Sequence, residues 1–137
     1  MTTETVIENE FWSVSYDPSR RLVRITRTAK QLPSDGRDLD LAGVEKKLAH
    51  IDHSRAVVLL DMRAAPLRND PEFERMNSER NVRTTAFMQR FARGAMLLAS
   101  AVGKLQVTRL QRERGVGLPP FLDEREALAH LGLALAG

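Results

Sequence analysis

The chain has 137 residues, 42% hydrophobic and 28% charged, with a formal net charge of +3 at pH 7. That length suits one domain, which buries roughly two-thirds of its unfolded surface and needs no disulfide or metal staple. Cysteine is absent, which excludes disulfide frameworks, thiolate nucleophiles and Cys-type zinc sites together and fits a reducing cytosol.

The first residues, Met1-Thr-Thr-Glu-Thr-Val-Ile-Glu8, carry acidic groups and no apolar run, unlike a secretory signal. No stretch approaches the ~20 apolar residues of a transmembrane segment. A soluble, cytoplasmic protein is expected. Residues 1–9 read as a loose N-terminal segment that can join a sheet or not, and residues 10–137 as a single domain. From Phe11 the pattern alternates: Trp12, Val14 and Tyr16 point one way, Ser13 and Ser15 the other. Asp17-Pro18-Ser19-Arg20 is a turn signal. Leu22-Val-Arg-Ile-Thr26 then resumes in β-rich residues, so the two runs predict an antiparallel hairpin.

Residues 29–38 contain proline and glycine and read as a loop. Helical spacing begins near Asp40, with Leu41, Val44, Leu48 and Ile51 on one face. Next comes Ala56-Val-Val-Leu-Leu-Asp-Met62, whose consecutive aliphatic residues predict a strand buried on both faces. Asp61, at its C-terminal end, stands where a parallel sheet places loops and sites. Further strands are expected in Gly94–Ser100 and Pro120–Leu122. Asp70-Pro71 opens a helical pattern between the first two, and Ala101 opens another that ends at Gly115 or Gly117. Asp123 caps a closing helix, with Glu126 at capping-box spacing. The order β-β-α-β-α-β-α-β-α predicts an α/β fold. Its single mixed sheet would join an N-terminal antiparallel hairpin to parallel central strands, with helices packed over it.

Three segments carry a family likeness: Val57-Val-Leu-Leu-Asp-Met62, Phe91-Ala-Arg-Gly-Ala-Met-Leu-Leu98 and Phe121-Leu-Asp-Glu-Arg-Glu-Ala-Leu-Ala-His-Leu131. In this order they resemble the STAS family and its SpoIIAA-like relatives, which are grouped with CRAL-TRIO-type lipid-binding domains. The resemblance implies a non-enzymatic regulatory or scaffolding module that binds a protein partner. STAS regulators in sigma-factor pathways carry a phosphorylatable Ser or Thr in an Asp-Ser turn after the central strand. Here the strand runs into Arg63-Ala-Ala-Pro-Leu-Arg-Asn-Asp-Pro-Glu-Phe73, and Ser78, Thr84 and Thr85 do not match that turn. A phosphorylation switch therefore does not carry over.

No nucleophile elbow is present, and Gly115-Val-Gly117 follows a helix where a dinucleotide fingerprint would follow a strand. No catalytic residue, metal site or cofactor is assigned. His50 and His53 flank Asp52 at a helix end, where imidazoles suit the negative pole. A zinc role would need further ligands that the nearby sequence does not supply. Four of the 21 basic residues are lysine, leaving 17 arginines. Guanidinium groups pair bidentately with carboxylate or phosphate. No block of like charge forms a nucleic-acid tail, however, and aromatic residues are only 5%, so no nucleic-acid partner is expected.

The candidate binding residues are Asp61 and the segment after Pro71. At 100° per residue, Phe73, Met76, Phe87 and Phe91 share one helical face, with Asn77, Arg80 and Thr84 in its middle. A buried arginine is costly unless paired. Three arrangements fit: a break near residues 78–81, a small polar site or interface for a carboxylate or phosphate, or an exposed self-associating stripe. They lead to a protein partner or homodimer and, as the alternative, to a carrier or sensor of a lipid-like or anionic small molecule held near Arg80.

Overall fold

A computed structural model of the chain describes residues 3–30, 39–65, 83–114 and 117–133. Strands β1 (Glu4–Glu8), β2 (Trp12–Asp17), β3 (Leu22–Arg27), β4 (Val57–Asp61), β5 (Arg93–Leu97) and β6 (Pro120–Phe121) form one sheet in that order. The first three are antiparallel, and β3 through β6 run parallel. Helices α1 (Leu41–Lys47), α2 (described over residues 83–88), α3 (Ala101–Arg114) and α4 (Glu124–His130) follow β3, β4, β5 and β6 respectively. This is the mixed α/β sheet expected from the order of the segments.

The terminal segment joins the sheet as β1, one strand more than the sequence order contained. It pairs with β2 across an irregularity between Thr5 and Ile7. Val6 thereby becomes buried and Ile7 packs against the same core. Glu4 and Glu8 leave charge on this edge strand, which discourages pairing with a second chain.

Alternation along the strands builds two cores. Val14, Val23, Ile25, Val58 and Leu60 face α1 and α2, with Val44, Leu48, Phe87 and Met88 packed over them. Leu22, Val57, Leu59, Ala95 and Leu97 face the other way, beneath Ala127, Leu128 and Leu131 of α4. Strand β4 is therefore buried at every position, as its aliphatic run predicts. Each such side chain stabilises the fold by about 1.5–3 kcal/mol. Gly94 lets β5 lie close to the chain that leads into β6. A Cβ there would stand 2.5 Å from Leu118 Cδ2 and 3.2 Å from Val58 Cγ1.

Asp40 caps α1, accepting from Gly43 N–H at 3.1 Å. The apolar spacing runs on to Ile51, but the helix stops at Lys47. The following amides bond three residues back instead, Ala49 to Lys46 and Ile51 to Leu48, which turns the chain toward β4. At the hairpin, Asp17 accepts from the Ser19 N–H and hydroxyl and from Arg20 Nε. The Ser19 and Arg20 hydrogen bonds hold its carboxyl down at about 2. Arg21 completes the turn with a φ of 50°, a left-handed conformation uncommon outside glycine.

Candidate functional site

The C-terminal ends of the parallel strands meet at one edge of the sheet, where α/β folds place their sites. Asp61 closes β4 at this edge, on the α4 side, and is 5% exposed. Its Oδ1 accepts from the Arg63 N–H at 3.1 Å and from Arg63 Nε at 3.0 Å. Its Oδ2 accepts from Arg63 Nη2 at 2.8 Å and Arg24 Nη2 at 2.9 Å. The same two guanidinium groups donate to Glu124 Oε1, Arg24 at 2.6 Å and Arg63 at 3.3 Å. Two cations and two anions thus balance in one quartet. It ties the first residue of α4 to β3 and to the end of β4.

Burial alone would push the Asp61 carboxyl up. The hydrogen bonds from Arg63 and Arg24 outweigh that and hold it at about 2. The Arg63 hydrogen bond to Asp61 foremost, with the negative charges of Asp61 and Glu124, raises the Arg63 guanidinium above its ordinary range. A carboxylate so fully engaged is a poor general base, because a base needs a free oxygen within reach of the proton it takes. Asp61 organises the loop and α4.

On the opposite face, the two histidines find different neighbours. The His50 ring meets Tyr16 edge-on at 6.4 Å. His53 lies against Phe91 at 5.0 Å and Phe87 at 5.8 Å, and its buried Nε2 has no hydrogen-bond partner. Burial, reinforced by the charge of Arg90, pushes its pKa down and favours the neutral ring. Among the described residues, no three His, Asp or Glu side chains come together to hold a metal ion.

The same sheet edge carries an apolar surface. Among the described residues the exposed large hydrophobic side chains are Leu105 (71%), Val102 (65%) and Leu122 (43%). Helix α3 starts four residues after β5 ends, and Leu122 directly follows β6, so all three belong to this edge. Ser100 caps the helix through the Gly103 N–H at 3.1 Å. Gln111 Nε2 anchors its far half to the Leu118 carbonyl at 2.7 Å. None of the described side chains of α3 is buried. Val107 and Leu110 are half-covered, whereas Val102 and Leu105 turn outward with Arg109 and Arg112.

Of the residues singled out in the sequence, Asp61 belongs to the quartet at this edge. Phe87 is buried against His53 and Phe91, and Thr84, three residues before it, is half-buried. Phe73, Met76, Asn77 and Arg80 lie outside the described residues, as does the question of one helix or two over residues 70–91. Sequence reasoning missed Arg24, Arg63 and Glu124 as partners of Asp61, and it missed the Val102–Leu105 face. The latter has a sequence signal: α3 carries Val102 and Leu105 on one side and Val107 and Leu110 on the other, more apolar surface than one packed stripe needs. Among the described residues, no helix is long and apolar enough to cross a membrane. In comparison with known proteins, no family model, no curated protein and no solved structure matches the chain.

Proposed function

We propose that the chain is a non-enzymatic regulatory or scaffolding module of STAS-like type. It binds a protein partner at the C-terminal edge of its parallel strands. The observation that carries this reading is the exposure of Val102, Leu105 and Leu122 in the segments that follow the C-terminal ends of β5 and β6. Single exposed apolar residues are ordinary, but several gathered on one lightly packed element mark an interaction surface. A helix of this length is marginal in water by itself, and α3 gains little from its own domain. A partner lying across Val102 and Leu105 would supply the missing burial.

The quartet supports the same reading from the chemical side. The acidic group best placed for catalysis at this edge, Asp61, is spent on two arginines.

The test is comparative capture from the native cell with quantitative mass spectrometry. Tagged wild-type chain is set against Val102→Asp/Leu105→Asp and, as a control on another element, against Lys46→Glu at an exposed position of α1. A partner held by the wild type and the control but lost from the double variant supports the proposal. Equal capture by all three would refute it.

A further inference from the structure

The outward face of α3 is both apolar and basic. At 100° per residue, Val102, Leu105, Arg109 and Arg112 share one side of the helix, and all four are exposed. Lys104, also exposed, lies outside this arc and nearer to Val107. Several described cations find anions, Arg20 with Asp17, Arg24 and Arg63 with Asp61 and Glu124, Lys30 with Glu10, and Arg55 with Asp52, whereas others, such as Lys46 and Lys47 of α1, form no ion pair among the described residues. Among the described residues, the Lys104, Arg109 and Arg112 side chains have no ion pair. Glu113, the one acidic residue of the helix, falls on the same side, one turn after Arg109, and forms no ion pair among the described residues. Two unpaired arginines beside two exposed aliphatic side chains leave this side without apolar cover and net basic, with Glu113 offsetting one of their two charges.

Resting on the docking face proposed above, we infer that the partner presents an acidic amphipathic helix. Its apolar residues, spaced i, i+3 and i+7, lie on Val102 and Leu105, and its carboxylates meet Arg109 and Arg112. Helix against helix is the geometry that the straight i, i+3, i+7, i+10 stripe fits. Arginine is suited to the task because its planar fork binds a carboxylate through two parallel hydrogen bonds. An anionic bilayer offers the same charge but is the weaker fit. Membrane-surface helices bury a broad apolar face, and here two aliphatic residues give way to arginines on the same side.

The experiment uses the full chain and fluorescence anisotropy with three probes. These are a labelled helical peptide with Leu at i, i+3 and i+7 flanked by Glu, the same peptide with Lys for Glu, and vesicles of phosphatidylcholine with phosphatidylserine. The acidic peptide should bind at least about tenfold more tightly than the basic one, and binding should weaken as salt rises. Arg109→Glu/Arg112→Glu and Leu105→Asp should each weaken it by about tenfold or more. All these positions are exposed, so the variants should stay folded, which circular dichroism verifies. No preference between the peptides, or binding to vesicles with none to the acidic peptide, would overturn the inference. If a captured partner depends on Leu105 but is indifferent to Arg109→Glu/Arg112→Glu and to salt, the docking face stands and the acidic helix falls.

Discussion

Arg63 grips Asp61 from two residues away: its Nε and Nη2 stand 3.0 and 2.8 Å from the two carboxylate oxygens, and its own N–H donates to the same side chain. This clasp ends β4, and through Glu124 it reaches α4. Its strength follows from its setting, since the carboxylate is nearly buried while both arginines keep part of their surface in water.

The clasp makes the fold acid-sensitive in a defined window. The Asp61 carboxyl sits at about 2 in the folded chain, against an ordinary 3.8. A lowered folded value means that the unfolded chain takes up the proton first. The stabilisation is therefore complete above about pH 4 and is lost as pH falls toward 2. The gap corresponds to about 2 kcal/mol. Asp61→Asn should lower stability near neutral pH by a similar amount and flatten that part of the acid limb. Urea unfolding at a series of pH values measures both, and a variant matching the wild type throughout would deny the quartet any energetic role.

His53 sets a second, milder pH response. Its pKa is lowered from 6.5 by burial and by Arg90, so the folded chain resists a proton that the unfolded chain accepts. Stability is then full above about pH 6.5 and declines as pH falls through the range just below it. Glu45 and Asp52 act in the opposite sense and lessen the effect. His53→Leu removes both the orphaned Nε2 and the titration. Thermal melts should show the variant losing less than the wild type between about pH 6.5 and pH 5, with parallel curves as the contrary result.

Helix α4 depends on its cap. Asp123 accepts from the Arg125 and Glu126 amides at 2.7 and 3.3 Å, and the helix it opens has only seven residues. Asp123→Ala should destabilise the fold by about 1 kcal/mol, with Asp123→Ser keeping most of it. Chemical denaturation decides between this and an equal loss for both variants, which would point to the charge of Asp123 in place of its capping bond.

The fold was more legible in the sequence than the site. Val57–Leu60 announced a doubly buried strand because four aliphatic residues in succession leave no polar face. The β2–β3 hairpin was legible from alternation before Asp17-Pro18 and β-rich residues after it. Strand β1 was not, since Glu4-Thr-Val-Ile-Glu8 has two apolar residues and owes its strand to pairing with β2. The partners of Asp61 were hidden for a different reason. Arg24 is 37 residues away from it, and Arg24 reaches Glu124 across 100 residues, distances at which no local pattern operates. Helix α3 lies between these cases. Both of its apolar stripes can be read from the sequence, but only the placement of β6 and Leu118 decides which one turns outward.

The docking edge is tested most directly by a photo-crosslinking residue placed at position 105 in the full chain, with irradiation in the native cell. The account predicts a dominant adduct to one other protein, absent when the probe stands at position 46 and strongly reduced by Val102→Asp. Adducts no different from those at position 46, or crosslinks from position 105 confined to the same chain, would contradict it.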